Sequence, residues 1–137
     1  MSGQKVFIYT DGGARGNPGP AGAGVVILDG KKTVEFKRYL GSPQTNNWAE
    51  YEAVVLALSE AKRLGLAGRE IEVRMDSKLV VEQILGNWKI KEPTLKPQVA
   101  KVRALLADFP KFHFVHVPRE DNAEADRLVN EAIDEAV

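Results

Sequence analysis

Two periodicities run through the chain. Val6 to Thr10, Gly24 to Leu28, Thr33 to Leu40, Ile71 to Met75 and Phe112 to Val117 are short runs rich in β-branched and aromatic residues, and they read as strands. Asp29-Gly30, between the second and third runs, is a hairpin signal of the type I′ kind, so the first three strands should form an antiparallel meander. Gly12 to Pro20 and Gly41 to Gln44 read as loops, because Gly and Pro interrupt regular structure. A helical period begins at Thr45 or Asn46, both suited to cap an N-terminus. Its buried stripe is Glu50, Val54, Ala57, Ala61 and Leu64, and Gly65 stops it. Further helices are predicted over Ser77–Leu85, over Gln98–Ala107 and from Asp121 or Asn122 onward, the last with Val129, Ile133 and Val137 on the face of Asp126. Gly86 to Pro97 is a connector containing Trp88. A meander followed by strand–helix–strand crossovers implies a mixed α/β sheet with helices packed on it.

Bulk properties narrow the class. The chain has 137 residues, 44% hydrophobic and 28% charged, which is ordinary for a globular protein and is expected to form one domain over residues 1–137. The absence of cysteine excludes disulfides and thiolate metal sites. No run approaches the roughly 18 apolar residues of a membrane span. Met1 to Lys5 lacks the apolar centre of a signal peptide, so the cytoplasm is the expected location. The net charge of zero argues against indiscriminate nucleic-acid binding. Residues 119–137 are nonetheless acidic, with seven acids against two bases, in keeping with a solvated terminal helix.

Four carboxylates fall in places that acids seldom occupy without a partner. Asp11 and Asp76 follow the apolar strands Val6–Thr10 and Ile71–Met75, and Glu50 and Asp126 lie in line with apolar helical stripes. Each has an ordinary reading. Asp76 or Ser77 can cap the next helix, Asp11 can brace its loop, and Asp126 can complement a helix dipole. Glu50 is harder to place, since a charge within an apolar stripe needs a counter-charge and no buried Lys or Arg is evident. If the first and fourth strands are parallel neighbours, Asp11 and Asp76 meet at their carboxyl ends, where open α/β sheets bind ligands. Four converging acids repel one another unless hard cations are present, and Mg²⁺ suits such an oxygen-donor set. Two cations about 4 Å apart can activate water and stabilise a leaving oxygen in phosphoryl transfer.

Tyr9-Thr10-Asp11-Gly12-Gly13, Thr45-Asn46-Asn47-Trp48-Ala49-Glu50, Met75-Asp76-Ser77-Lys78-Leu79-Val80-Val81 and Asn122-Ala123-Glu124-Ala125-Asp126-Arg127-Leu128 together resemble the type 1 ribonuclease H family, in order and across nearly the whole chain. The resemblance implies a five-stranded mixed sheet, with strands one to three antiparallel and strands one, four and five parallel, flanked by about four helices. It implies an endonuclease that cuts the RNA strand of RNA/DNA hybrids with Mg²⁺ or Mn²⁺ and leaves 3′-hydroxyl and 5′-phosphate ends. Asp11, Glu50, Asp76 and Asp126 match the metal-binding acids, Asp11 the one that bridges both ions. Asn17, Asn46 and Asn47 match residues that reach the hybrid's minor groove, and Thr45 one that contacts a DNA phosphate. A monomer is expected.

The chain departs from the family in two places. Pro118-Arg119-Glu120-Asp121-Asn122 lacks the histidine that many members carry before the last acid, leaving Arg119 or Glu120 as substitutes. His113 and His116 fall in the fifth strand instead. The connector Gly86–Pro97 is too short for the basic protrusion of longer members, which leaves two readings of Trp88, Lys89, Lys91 and Lys96: a reduced DNA-strand contact, or a Trp88 packed on the core beside solvated lysines. The competing readings are a hybrid-binding module without catalysis and a nuclease that also acts on double-stranded RNA.

Overall fold

The computed structural model describes residues 4–137. Five strands, β1 (Val6–Ala14), β2 (Gly19–Asp29), β3 (Lys32–Gln44), β4 (Ile71–Met75) and β5 (Phe112–His116), form one sheet in the order β3-β2-β1-β4-β5. The β1–β2 and β2–β3 pairs are antiparallel, and β1–β4 and β4–β5 are parallel. The helices are α1 (Asn46–Arg63), α2 (Lys78–Ile84), α3 (Lys96–Leu106) and α4 (Ala123–Ala136), with single 3-10 turns at Pro93–Leu95 and Arg119–Asn122. This is the mixed sheet and helix set that the sequence implies.

The meander strands are longer than their apolar runs. Gly12, Gly13 and Ala14 continue β1 by pairing with Ala23, Gly22 and Ala21, so Asp11 lies inside a strand rather than at its end. Gly41 to Gln44 likewise belong to β3. The glycines here serve close approach. A β-carbon on Gly12 would run into the Ala49 carbonyl of α1, and one on Gly24 into the Ala125 carbonyl of α4. Gly22 is tight to a lesser degree, its β-carbon position 2.8 Å from the Val129 carbonyl. Neighbouring residues of a strand face opposite sides. Gly24 pairs with Asp11 and Ala23 with Gly12, so α4 packs on one face of the sheet and α1 on the other.

The turn after β2 also differs from expectation. Asp29 pairs with Lys32, and of the central residues only Gly30 has positive φ (61°), the requirement of a II′ rather than a I′ turn. The core lies between the sheet and helices α1 to α3. It contains Val6, Ile8, Val25 and Ile27 from the meander, Tyr51, Val54 and Leu58 from α1, and Val80, Val102 and Phe109 beyond. Glu50, Val54, Ala57 and Ala61 are buried as the stripe predicts, but Leu64, at the C-cap just past the last helical residue, is 39% exposed. Val137 likewise projects beyond the packed part of α4 and is 72% exposed. Thr45 caps α1 by accepting the Trp48 N–H at 3.2 Å.

Candidate active site

The β1–β4 pairing ends at Thr10 and Met75, but β1 runs on for four more residues. A crevice therefore opens beyond the carboxyl end of β4. Asp76 emerges into it. Ser77, not Asp76, caps α2, accepting the Val80 N–H at 3.3 Å, so the Asp76 carboxylate is not spent on the cap. Past the last β4 pair, the Gly12 N–H is taken by Glu50 Oε1 at 3.1 Å. That bond answers part of the problem of a carboxylate in an apolar stripe. The rest is answered by position, since Asp11, Glu50 and Asp76 each offer an oxygen within 4.8 Å of the others.

Asp126 joins from the Asp11 side. It lies outside that 4.8 Å triad but close enough for its charge to help raise the Asp11 carboxyl, and it lines the same cleft. Its helix is set by the turn before it. Asn122 is buried and donates its amide to the Thr10 carbonyl at 2.8 Å, tying the start of α4 to the last β4-paired residue of β1. The helix starts where the sequence places it, with Asn122 at the N-cap position after the 3-10 turn, but the Asn122 side chain makes no cap hydrogen bond and faces the strand instead.

The electrostatics are those of acids crowded in a poorly solvated place. Burial pushes the Asp11 carboxyl up to about 8, with the charges of Asp76 and Asp126 adding to the rise and Arg119 opposing it. Burial, then Asp11 and Asp76, hold Glu50 well above the usual carboxylate range. Asp76 is also raised, chiefly by burial, and Arg119 again works against the shift. Protonated acids are the metal-free solution to this crowding, and a hard cation is the other. The all-oxygen donor set suits the latter.

The acids line a cleft of about 560 Å³ together with Asn46, Ser77, Arg119, Arg15 and Asn130. Of the two substitutes for the loop histidine, Arg119 faces this cleft, and Glu120 faces a separate groove beside Tyr9 and Glu35. Both histidines lie on β5 outside the cleft lining, His113 against Glu70 at 2.8 Å.

A profile of the reverse transcriptase-like family matches residues 9–132, a span that includes all four acids. A ribonuclease H of Erythrobacter litoralis is 34% identical over 96% of this chain and 97% of its own length. The chain belongs to the type 1 ribonuclease H family. Ribonuclease HI of Halobacterium salinarum is 43% identical, and this chain spans 67% of it. A bifunctional protein of Mycobacterium tuberculosis is 45% identical over 96% of this chain, which spans about a third (36%) of that protein's length. Among solved structures, LC11-RNase H1 in complex with an RNA/DNA hybrid is 54% identical with a TM-score of 0.90, covering 96% of this chain and 98% of that one.

Beside this type 1 ribonuclease H cleft, the remaining expected site residues divide. Asn46 lines the cleft and Asn17 stands in the loop next to it. Asn46 Oδ1 accepts the Ala14 N–H at 2.8 Å, and Asn17 Oδ1 accepts the Asn46 N–H at 3.0 Å. Backbone donors thus fix both amide orientations and leave the two NH₂ groups without a protein partner among the described residues. Asn47 and Trp88 meet in a second groove of about 510 Å³, lined also by Lys89, Lys91 and Leu95. Lys96 opens α3 outside that lining. Thr45, between the two, is exposed at the start of α1. Sequence reasoning missed Arg15 and Asn130 as cleft residues. Asn130 follows Asp126 by four residues, the helical spacing that would have found it, whereas the direction of Arg15 in its loop has no sequence signal.

Proposed function

We propose that this domain is an endonuclease that hydrolyses the RNA strand of RNA/DNA hybrids, with Asp11, Glu50, Asp76 and Asp126 as the metal-binding acids. The observation that carries the reading is the convergence of three buried or half-buried carboxylates, with a fourth beside them, at the open end of β4. Membership of the family and likeness to a structure holding a hybrid support it.

Two Mg²⁺ ions bound there, or Mn²⁺ in their place, would supply a water nucleophile at neutral pH and charge stabilisation for the leaving oxygen. The chain's own residues prepare the site. Gly12 fixes Glu50, Ser77 caps α2 in place of Asp76, and Asn122 fixes the approach of α4 and so of Asp126. Arg119 places a positive charge beside the acids, where a scissile phosphate would need one. Attack forms a phosphorus–oxygen bond from water and breaks the bond to the 3′ oxygen, leaving 3′-hydroxyl and 5′-phosphate ends. The NH₂ groups of Asn17 and Asn46 are preset donors for the 2′-hydroxyls and base edges of the minor groove. Asn47 extends that minor-groove contact, and Thr45 and Trp88 serve the DNA strand side, Thr45 at a phosphate and Trp88 as a stacking face. The domain acts as a monomer, in the cytoplasm. Among the described residues no helix is long and apolar enough to cross a membrane.

The test is cleavage of an end-labelled hybrid with Mg²⁺, with and without chelator, alongside double-stranded RNA. Hybrid-selective cleavage that is lost with chelator and in Asp11→Asn is expected. Full activity in Asp11→Asn overturns the assignment, and tight hybrid binding without cleavage favours the binding-module reading.

A further inference from the structure

The proposed chemistry leaves one charged residue of the cleft without a task. Among the described residues, Arg15 and Arg119 are the cations in the cleft lining. Arg119 is the one whose charge the acids feel. Arg15 stands further along, over α4. Its guanidinium pairs with Asp134 at 2.6 Å and donates to Asn130 Oδ1 at 3.1 Å. Asp126, Asn130 and Asp134 are successive i, i+4 positions, so each step along the helix is about 6 Å. Arg15 therefore lies one to two helical turns from Asp126, on the α4 side of the same cleft.

Three features suit it to a phosphate. The backbone at Arg15 is held, since its N–H donates to the Pro20 carbonyl at 2.8 Å and Gly19 packs against its own carbonyl. The Asp134 pair is solvent-exposed on both sides, with side chains 42% and 65% accessible, so it is weak and readily exchanged. The guanidinium also presents the planar fork that matches phosphate oxygens. A polyanion entering a cleft of four carboxylates needs such a charge away from the metal positions.

We propose that Arg15 binds a backbone phosphate of the RNA strand flanking the cleavage site, exchanging its Asp134 partner for that phosphate. The proposal rests on the hybrid-cleavage reading for the identity of the strand. It makes Arg15 a substrate-binding residue, with no part in the bond-breaking step.

The experiment compares wild type, Arg15→Ala, Arg15→Lys and Asp134→Ala by steady-state cleavage of a labelled hybrid across a KCl series, with binding of the same probe followed by fluorescence anisotropy and thermal stability as the structural control. Arg15→Ala should raise KM about five- to tenfold with kcat within about twofold. It should also flatten the log–log salt dependence of binding by roughly one phosphate contact, about 0.7–0.9 in slope. Arg15→Lys should keep most of the slope. Asp134→Ala should bind the probe as well as wild type or better. Single methylphosphonate linkages scanned along the RNA strand should weaken wild type at one position and leave Arg15→Ala unaffected there, the signature of a direct pair. An unchanged slope, equal losses in Arg15→Ala and Asp134→Ala, or a matching position only in the DNA strand overturns the proposal. Wild type that cleaves hybrid while Arg15→Ala behaves identically sinks this inference alone. Wild type that binds with an Arg15-dependent slope on the RNA strand but never cleaves sinks the catalytic reading alone. Wild type that neither binds nor cleaves sinks both.

Discussion

Gly24 lies directly beneath the backbone carbonyl of Ala125. Gly24 is the cross-strand partner of Asp11, and Ala125 precedes Asp126, so this contact sets how near the two acids come. Gly12 does the same on the other face, where it meets Ala49, the residue before Glu50. Gly24→Ala should destabilise the fold by about 1–3 kcal/mol through overpacking against backbone that cannot yield. It should also lower cleavage by displacing Asp126. Gly12→Ala should be at least as damaging. Gly13 is different: a β-carbon there would meet Val129 Cγ1 at 3.8 Å and Asn46 Oδ1 at 4.0 Å, ordinary contacts. Gly13→Ala should therefore fold and cleave nearly as wild type. Thermal denaturation and initial rates of the three variants decide this, and a Gly13→Ala variant as impaired as Gly12→Ala would contradict it.

The crowded acids make metal-free stability depend on pH. In the folded chain Asp11 is raised to about 8 from 3.8, and Glu50 and Asp76 are raised as well. A carboxyl with a raised folded pKa stabilises the fold when protonated. That contribution is complete below the unfolded pKa and is lost as pH rises through the folded one. With EDTA present, Tm should fall as pH climbs from about 4 to about 8. Asp11→Asn removes the group concerned, so its Tm should exceed that of wild type by a few degrees at pH 8.5 and differ little at pH 4. Mg²⁺ should raise the wild-type Tm at pH 8.5 far more than at pH 5. Parallel pH profiles for the two proteins in EDTA would refute the argument.

The strands along the chain and the acids that follow two of their apolar runs are legible from local patterns, whereas the parallel pairing of β1, β4 and β5 is legible only through the family resemblance. Ile71–Met75 is legible because its apolar residues alternate with polar ones until Ser77 and Lys78 break the period of two. The extension of β1 through Gly12 to Ala14 was not legible, because glycine reads as a breaker whenever its tertiary neighbour is unknown. The same blindness hid the burial of Asn122, which holds the N-cap position of α4 while its side-chain amide is spent on the Thr10 carbonyl. Leu64 shows the converse error. Its spacing fits the stripe, but it stands at the C-cap, one residue past the end of α1, and is exposed. Spacing tells which residues share a face and leaves open where that face ends.

The missing loop histidine now resolves into a choice between neighbours. Arg119 faces the acids and Glu120 faces away, towards Tyr9 and Glu35. Arg119→Ala should lower kcat about tenfold, equivalent to about 1.4 kcal/mol of lost transition-state stabilisation. Arg119→Lys should recover part of it, since charge is kept and the fork is lost. Glu120→Ala should change kcat by less than about twofold. Single-turnover and steady-state rates measured together separate an effect on chemistry from one on product release. A Glu120→Ala loss larger than that of Arg119→Ala would reverse the assignment.

Trp88 gives the second groove its distinguishing chemistry. It is 44% exposed although it is large and apolar, and the Lys78 ammonium lies 5.7 Å from its ring centre. Asn47, Lys89 and Lys91 complete the groove. An aromatic face beside lysines is what a nucleic-acid strand uses for stacking and charge. Stacking of this kind is worth about 1–3 kcal/mol, so Trp88→Ala should raise KM roughly five- to a hundredfold with kcat little changed. Trp88→Phe should retain much of the affinity, because the ring face survives. Fold stability should barely move, since the side chain is half exposed and lies outside the central core. Melting curves for Trp88→Ala alongside its KM separate the two possibilities. A large fall in Tm with KM unchanged would mean that Trp88 packs the connector against the helices and does not meet the substrate.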